Sequence, residues 1–172
     1  GDDDRRKWIL RADAGFSTGG HRDRGLFSIF LLNLIHLRPG QALYLPAGIL
    51  HAHLRGAGIE IMASSDNVLR GGLTAKHTDV PELLRTVRFE GERPEILEGR
   101  PTGQEGEWIY PTPAEEFELR RIDVGPSRPH RGGPSASAEV LLVTAAGAGA
   151  PIEVTFEGGS LSLGRGGTCL IP

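Results

Sequence analysis

Short apolar runs broken by glycine and proline dominate the chain between residues 32 and 64. LNLIHL (32–37), ALYLP (42–46), LHAHLR (50–55) and IEIMAS (59–64) are separated by Pro39-Gly40, Ala47-Gly48 and Gly56-Ala57-Gly58. That is the spacing of strands in an all-β sandwich or barrel. A second set of such runs follows at FELRRIDV (117–124), AEVLLVTAA (138–146), IEVTFEGG (152–159) and LSLGRGGTCLIP (161–172). Between the two sets, DVPELLRTV (79–87) is the one good helix, with Asp79 as N-cap and Pro81 in the first turn. GERPEILEGRPTGQEG (91–106) reads as a crossing segment and GPSRPHRGGPSASA (125–138) as a loop, with Asp66-Asn67 as a turn. GLFSIFLL (25–32) is continuously apolar and too short to separate helix from buried strand. Residues 1–24 show no sustained period and read as a frayed lead-in or the tail of a missing element.

Composition adds bounds. The 172 residues suffice for one ordinary domain or two small ones, and a formal charge of -3 with mixed signs points to neither nucleic acid nor a membrane surface. A single cysteine, Cys169, excludes an internal disulfide and a cysteine-based zinc knuckle, which suits a reducing compartment. No run of about 18 apolar residues exists, and GDDDRRKWIL lacks the order of a signal peptide, so a cytoplasmic protein is expected. The chain starts without methionine and ends on TCLIP as if within a strand, as expected of a fragment.

Two local features stand out. LRPGQALYLP (37–46) recurs as LGRGGTCLIP (163–172) with Leu, Gly and Pro in register, which implies two copies of one strand-turn-strand unit. Gly40-x5-Pro46-x-Gly48-x2-His51 then resembles the second motif of the cupin superfamily, with Arg55 where the final Asn of that motif stands. The glycines allow tight turns, the proline closes a strand, and His51 is aimed inward as a candidate metal ligand. In a regular strand His53 shares the face of His51. Glu60 shares a face with Met62 and Ser64, and alternation leaves open whether that face is the barrel interior or the solvated outside. Arg70 and Lys76 flank a glycine-rich loop, a pairing suited to a phosphate or an anionic intermediate, or to a plain solvated loop.

HAHLRGAGIEIMASSDNVLRGGLTAKHTDVPELL (51–84) resembles the C-terminal signature of the type I mannose-6-phosphate isomerases. LLNLIHLRPGQALYLPAG before it and EWIYPTPAEEFELRRIDV after it are also similar, so the resemblance covers roughly residues 25–172. It implies a mainly β, cupin-type jelly-roll fold. It further implies that residues 25–78 are the C-terminal half of a catalytic barrel, 79–116 a connecting helix and crossing segment, and 117–172 a smaller cupin-like domain. By position it implies that His51 is one of four zinc ligands and Arg70 the catalytic arginine. Glu60, His53 and Lys76 then line the substrate site, His53 standing where the family has Tyr. Gly71 and Ala75 replace its Ala and Pro.

The implied reaction is interconversion of mannose 6-phosphate and fructose 6-phosphate through a cis-enediol, feeding GDP-mannose metabolism, with Zn2+ as Lewis acid and Arg70 steadying the enediolate. The base stays open among Glu60, His53 and a zinc-bound water. The family's other ligands are a Gln-x-His pair and a Glu, and Gln41 and Gln104, the only glutamines, are not followed by His two residues on. The expected partners are therefore a phosphorylated hexose and the missing N-terminal half of the enzyme, and the chain alone is expected to be inactive. Two rivals remain: a non-catalytic, cupin-like sugar-binding or scaffold module, and a cupin metal oxygenase, which the SDN-x-x-R signature disfavours.

Overall fold

A computed structural model describes residues 2–65, 67–91, 93–133, 137–147 and 150–172. Among them are nine strands and three α-helices, in agreement with a mainly β chain. The chain divides into two compact units, Gly1–His130 and Arg131–Pro172. The division falls beyond FELRRIDV, whereas the sequence pattern places one ahead of it. The Asp66-Asn67 turn and part of the 125–138 loop involve residues outside the described set. Among the described residues no helix is long and apolar enough to cross a membrane.

The first unit opens with α1 (Asp2–Phe16), which replaces the frayed lead-in expected from the pattern. Its anchor is tertiary: the Arg5 guanidinium donates to the Ile29 carbonyl and, at 2.9 Å, to the Leu32 carbonyl. Those acceptors lie on and just beyond α2 (Ser28–Leu31), the second half of the undecided apolar run. A 3₁₀ turn, Arg24–Phe27, precedes α2 and is capped by Asp23, whose carboxylate accepts from the Gly25 amide at 2.7 Å. The helix α3 (Val80–Thr86) forms as expected, with the Asp79 carboxylate accepting from the Glu82 amide at 3.1 Å.

Strand β1 (Gln41–Leu43) pairs antiparallel with β2 (Ile96–Glu98), in register Ala42 to Leu97. Strands β3 (Arg100–Pro101), β4 (Glu107–Tyr110) and β5 (Leu119–Ile122) form a second antiparallel sheet in that order. The crossing segment thus contains two strands that its Pro and Gly content concealed. Conversely, residues 32–37, 50–55 and 59–64 form no strand, although their alternation suits one. A strand exists only as part of a ladder, and no described segment pairs with these three.

The core of this unit is polar as well as apolar. Tyr110 is buried and its hydroxyl donates to the Gly40 carbonyl at 2.8 Å, tying β4 to the turn before β1. The Arg121 guanidinium lies 4.1 Å from the Trp108 ring centre across the β4–β5 register. Glu107 is buried, accepts from the Thr102 hydroxyl at 2.6 Å and pairs with Arg120 at 3.1 Å. Thr102 holds its carboxyl below the usual carboxylate value against the opposing effect of burial, with Arg120 adding to the depression.

In the second unit β6 (Glu139–Leu142) pairs with β9 (Thr168–Ile171), and β7 (Ile152–Phe156) with β8 (Gly159–Leu163). Buried Val143 brackets the turn before β9, donating to the Gly167 carbonyl and accepting from the Gly166 amide. The sequence repeat is geometrical too. Gly40 (φ 86°) and Gly166 (φ 82°) occupy the same turn position, and the turns close through matching bonds, Gln41 amide to Arg38 carbonyl and Gly167 amide to Gly164 carbonyl. Each turn leads into a strand, β1 in one unit and β9 in the other.

Candidate active site

The candidate residues lie after Gly48 on backbone that belongs to no helix or strand among the described residues. That glycine has φ 84°, and a Cβ there would meet the Thr86 carbonyl oxygen at 2.8 Å, so α3 abuts the turn that launches His51. The His51 Nδ1 lies 3.0 Å from the Ile49 carbonyl oxygen. A carbonyl oxygen accepts, so Nδ1–H donates here, and Nε2 is the nitrogen that a neutral ring in this orientation would offer to a metal.

Nε2 lies 3.9 Å from Glu60 Oε1, both side chains being exposed. Alternation left the face of Glu60 open, and the structure brings its carboxylate beside His51. His53 joins them: its ring centre is 6.1 Å from that of His51, the planes inclined by 66°. The two rings therefore lie near each other although neither residue belongs to a regular strand. Among the described residues no group of three or more His, Cys, Asp or Glu is placed to hold a metal ion.

Arg70 and Lys76 make no hydrogen bond or ion pair to this trio among the described residues. Arg70 is half-buried and Lys76 exposed at the far end of the loop, where the Lys76 amide donates to the Thr74 hydroxyl at 3.1 Å. The intervening backbone is unusual: Gly72 has φ 105° and Leu73 φ 50°. Gly72 packs against Gly25, its Cβ position lying 2.9 Å from the Gly25 Cα, and Gly71 faces the tip of Leu50. Neither Asp23 nor Gly25 was singled out by sequence reasoning. The only signal available was a glycine opening an apolar run, with an aspartate two residues earlier.

No family model matches the chain. Relatives are nonetheless clear. Mannose-6-phosphate isomerase of Escherichia coli is 47% identical over 102 residues, 59% of this chain and 26% of that protein. Mannose-6-phosphate isomerase 1 of Arabidopsis thaliana is 34% identical across 98% of this chain and 37% of its own length, so the similarity also takes in most of residues 1–24. The chain therefore spans between about a quarter and somewhat over a third of these relatives. Among solved structures, a lysine-to-alanine mutant of phosphomannose isomerase from Salmonella typhimurium superposes with a TM-score of 0.62 at 28% identity, over 87% of this chain and 38% of that one. The Salmonella typhimurium isomerase bound to fructose 6-phosphate and zinc gives a TM-score of 0.62 at 25% identity, over 97% of this chain and 44% of that one. By sequence and by fold the chain is a relative of the mannose-6-phosphate isomerases, corresponding to their C-terminal portion.

Proposed function

We propose that this chain is the C-terminal part of a zinc-dependent mannose-6-phosphate isomerase and supplies part of its substrate site. The observation that carries the reading is the placement of His51. Its Nδ1 is committed to the Ile49 carbonyl, its Nε2 is open, and Glu60 and His53 stand beside it. In this reading His51 is one zinc ligand, and the remaining ligands come from the preceding part of the barrel. Zinc, when bound, supplies Lewis-acid polarisation of the sugar's carbonyl and hydroxyl oxygens.

The residues of this chain do the rest of what is assigned to it. Arg70 sets a fixed guanidinium against the negative charge that develops as a proton leaves C2 of mannose 6-phosphate or C1 of fructose 6-phosphate to give the cis-enediol. Such a group lowers the barrier because its charge is already oriented when the oxyanion forms. Glu60 and His53 border the sugar hydroxyls next to His51, and Lys76 offers a cation to the phosphate across the Gly71-Gly72 backbone.

The reading is tested by grafting this chain in place of the matching segment of the Escherichia coli isomerase and measuring mannose 6-phosphate turnover. Zinc-dependent turnover is expected. A folded, zinc-loaded graft without turnover overturns the assignment. The rival, a non-catalytic cupin-like sugar-binding module, draws on the absence of a three-donor metal cluster among the described residues. It requires the graft to bind the sugar phosphate without converting it.

A further inference from the structure

We propose that Gly25, held by Asp23 and Ser28, is a positioning residue for Arg70, acting through direct backbone contact with Gly72 and Leu73. The functional part of this proposal rests on the assignment of Arg70 above, and the geometrical part does not.

The loop Arg70-Gly71-Gly72-Leu73 turns through two consecutive left-handed residues, φ 105° at Gly72 and 50° at Leu73. Glycine adopts this freely, but a leucine there is disfavoured, because its Cβ crowds its own carbonyl oxygen. Such a conformation persists only where the surroundings over-determine it, and these states gather at functional sites. Leu73 is the only described non-glycine residue with positive φ.

The surroundings that fix it are visible. A Cβ on Gly25 would stand 2.7 Å from the Leu73 amide nitrogen and 3.0 Å from the Gly72 carbonyl carbon. A Cβ on Gly72 would stand 2.9 Å from the Gly25 Cα and 3.3 Å from its nitrogen. The two backbones thus touch with no side chain between them, an approach only glycine permits. Gly25 itself cannot give way easily. Its amide donates to Asp23 Oδ1 at 2.7 Å and its carbonyl accepts from the Ser28 hydroxyl at 2.6 Å. Asp23 is tied to α1 in turn: its amide donates to the Ser17 hydroxyl at 3.2 Å, which donates to Asp13 at 2.6 Å.

On the other side, the Cβ position of Gly71 lies 3.0 Å from a methyl of Leu50, the residue before His51. The loop that carries Arg70 therefore lies between the helical segment around Gly25 and the side chain of Leu50, the residue before the proposed zinc ligand. The terminal helix, remote in sequence from the signature, becomes part of what fixes the arginine. Positioning of this kind matters because a displacement of about 1 Å at a reacting group can cost about 100-fold in rate.

The test uses 15N-labelled chain. Gly25→Ala is expected to shift the Arg70 Nε–H resonance and the amides of residues 71–74, while the β7–β8 hairpin is unchanged. Gly15→Ala, with open space around it, is the control and should move none of these. Leu73→Gly relieves the strain without adding an atom, so it is expected to keep the urea midpoint but to speed amide exchange at residues 71–74. Unchanged Arg70 and loop signals in Gly25→Ala, or unchanged exchange in Leu73→Gly, overturn the proposal. In the grafted isomerase, Gly25→Ala should lower kcat about tenfold or more, with KM and zinc content retained. If the resonances move and kcat does not, the clamp stands and the catalytic assignment of Arg70 is what fails.

Discussion

Glu107 is the buried charge on which the central sheet of the first unit depends, and replacing it by glutamine isolates the charge from the shape. The carboxylate accepts from Thr102 at 2.6 Å and faces Arg120 at 3.1 Å, with Arg120 about half exposed. A hydrogen bond to an ionised acceptor is worth about 1.5–3 kcal/mol against about 1 for a neutral one, so Glu107→Gln gives up about 1 kcal/mol at Thr102. The half-exposed ion pair adds at most about 1 kcal/mol. The expected loss is about 2 kcal/mol, or a urea midpoint lower by about 1 M for a slope near 2 kcal/mol/M. Trp108, next to Glu107 on β4, reports the transition by fluorescence once Trp8→Phe has silenced the other tryptophan. The sign with pH is fixed by the depressed carboxyl. Its contribution is fully present above the ordinary carboxylate value and is lost as pH falls through the lower, folded value. The gap between the Trp8→Phe protein and its Glu107→Gln variant should therefore close on acidification. A gap that is the same at pH 7 and pH 3 refutes the reasoning, because shape rather than charge is then responsible.

Other consequences are simpler. Gly40→Ala is strained by φ 86° and also collides with Arg121 Nη1 at 2.5 Å, whereas Gly166→Ala is strained by φ alone. Urea unfolding should show each costing about 1–2 kcal/mol, because the tip of Arg121, like that of Leu50, can move aside. Asp79→Ala removes the cap of α3 and should lower stability by about 1 kcal/mol, read from the same curves, with Asp79→Asn restoring most of it. Gly71→Ala should cost less than about 1 kcal/mol or stabilise slightly, because its only obstacle is the flexible end of Leu50. The chain alone should show no zinc-dependent isomerase turnover in a coupled assay, since one histidine does not hold a four-coordinate ion.

Local chemistry made part of this molecule legible. The Asp79 cap, the Gly40 and Gly166 turns and the second-unit strands are written in short stretches whose preferences do not depend on distant residues. The helix α1 was illegible for the opposite reason: its anchor is Arg5 reaching carbonyls on another helix. The runs at 32–37, 50–55 and 59–64 have a strand's alternation, but alternation records only which faces a segment can present, and the ladder requires a partner. At the candidate site, His51 stood out because its glycine and proline frame is local. The approach of Glu60 to His51 depends on how two unpaired segments lie side by side, which periodicity does not encode. The contact of Gly25 with Gly72 is still less visible, being made by backbone alone.

Parallel zinc and turnover measurements on His51→Ala and Arg70→Ala in the grafted isomerase separate the two proposed roles. His51→Ala should lose bound zinc and activity together. Arg70→Ala should keep its zinc and lose about 100-fold or more in kcat, as expected when a preorganised charge is removed from a developing oxyanion. An Arg70→Ala protein that loses its zinc, or keeps its turnover, would contradict the assignment of these two residues.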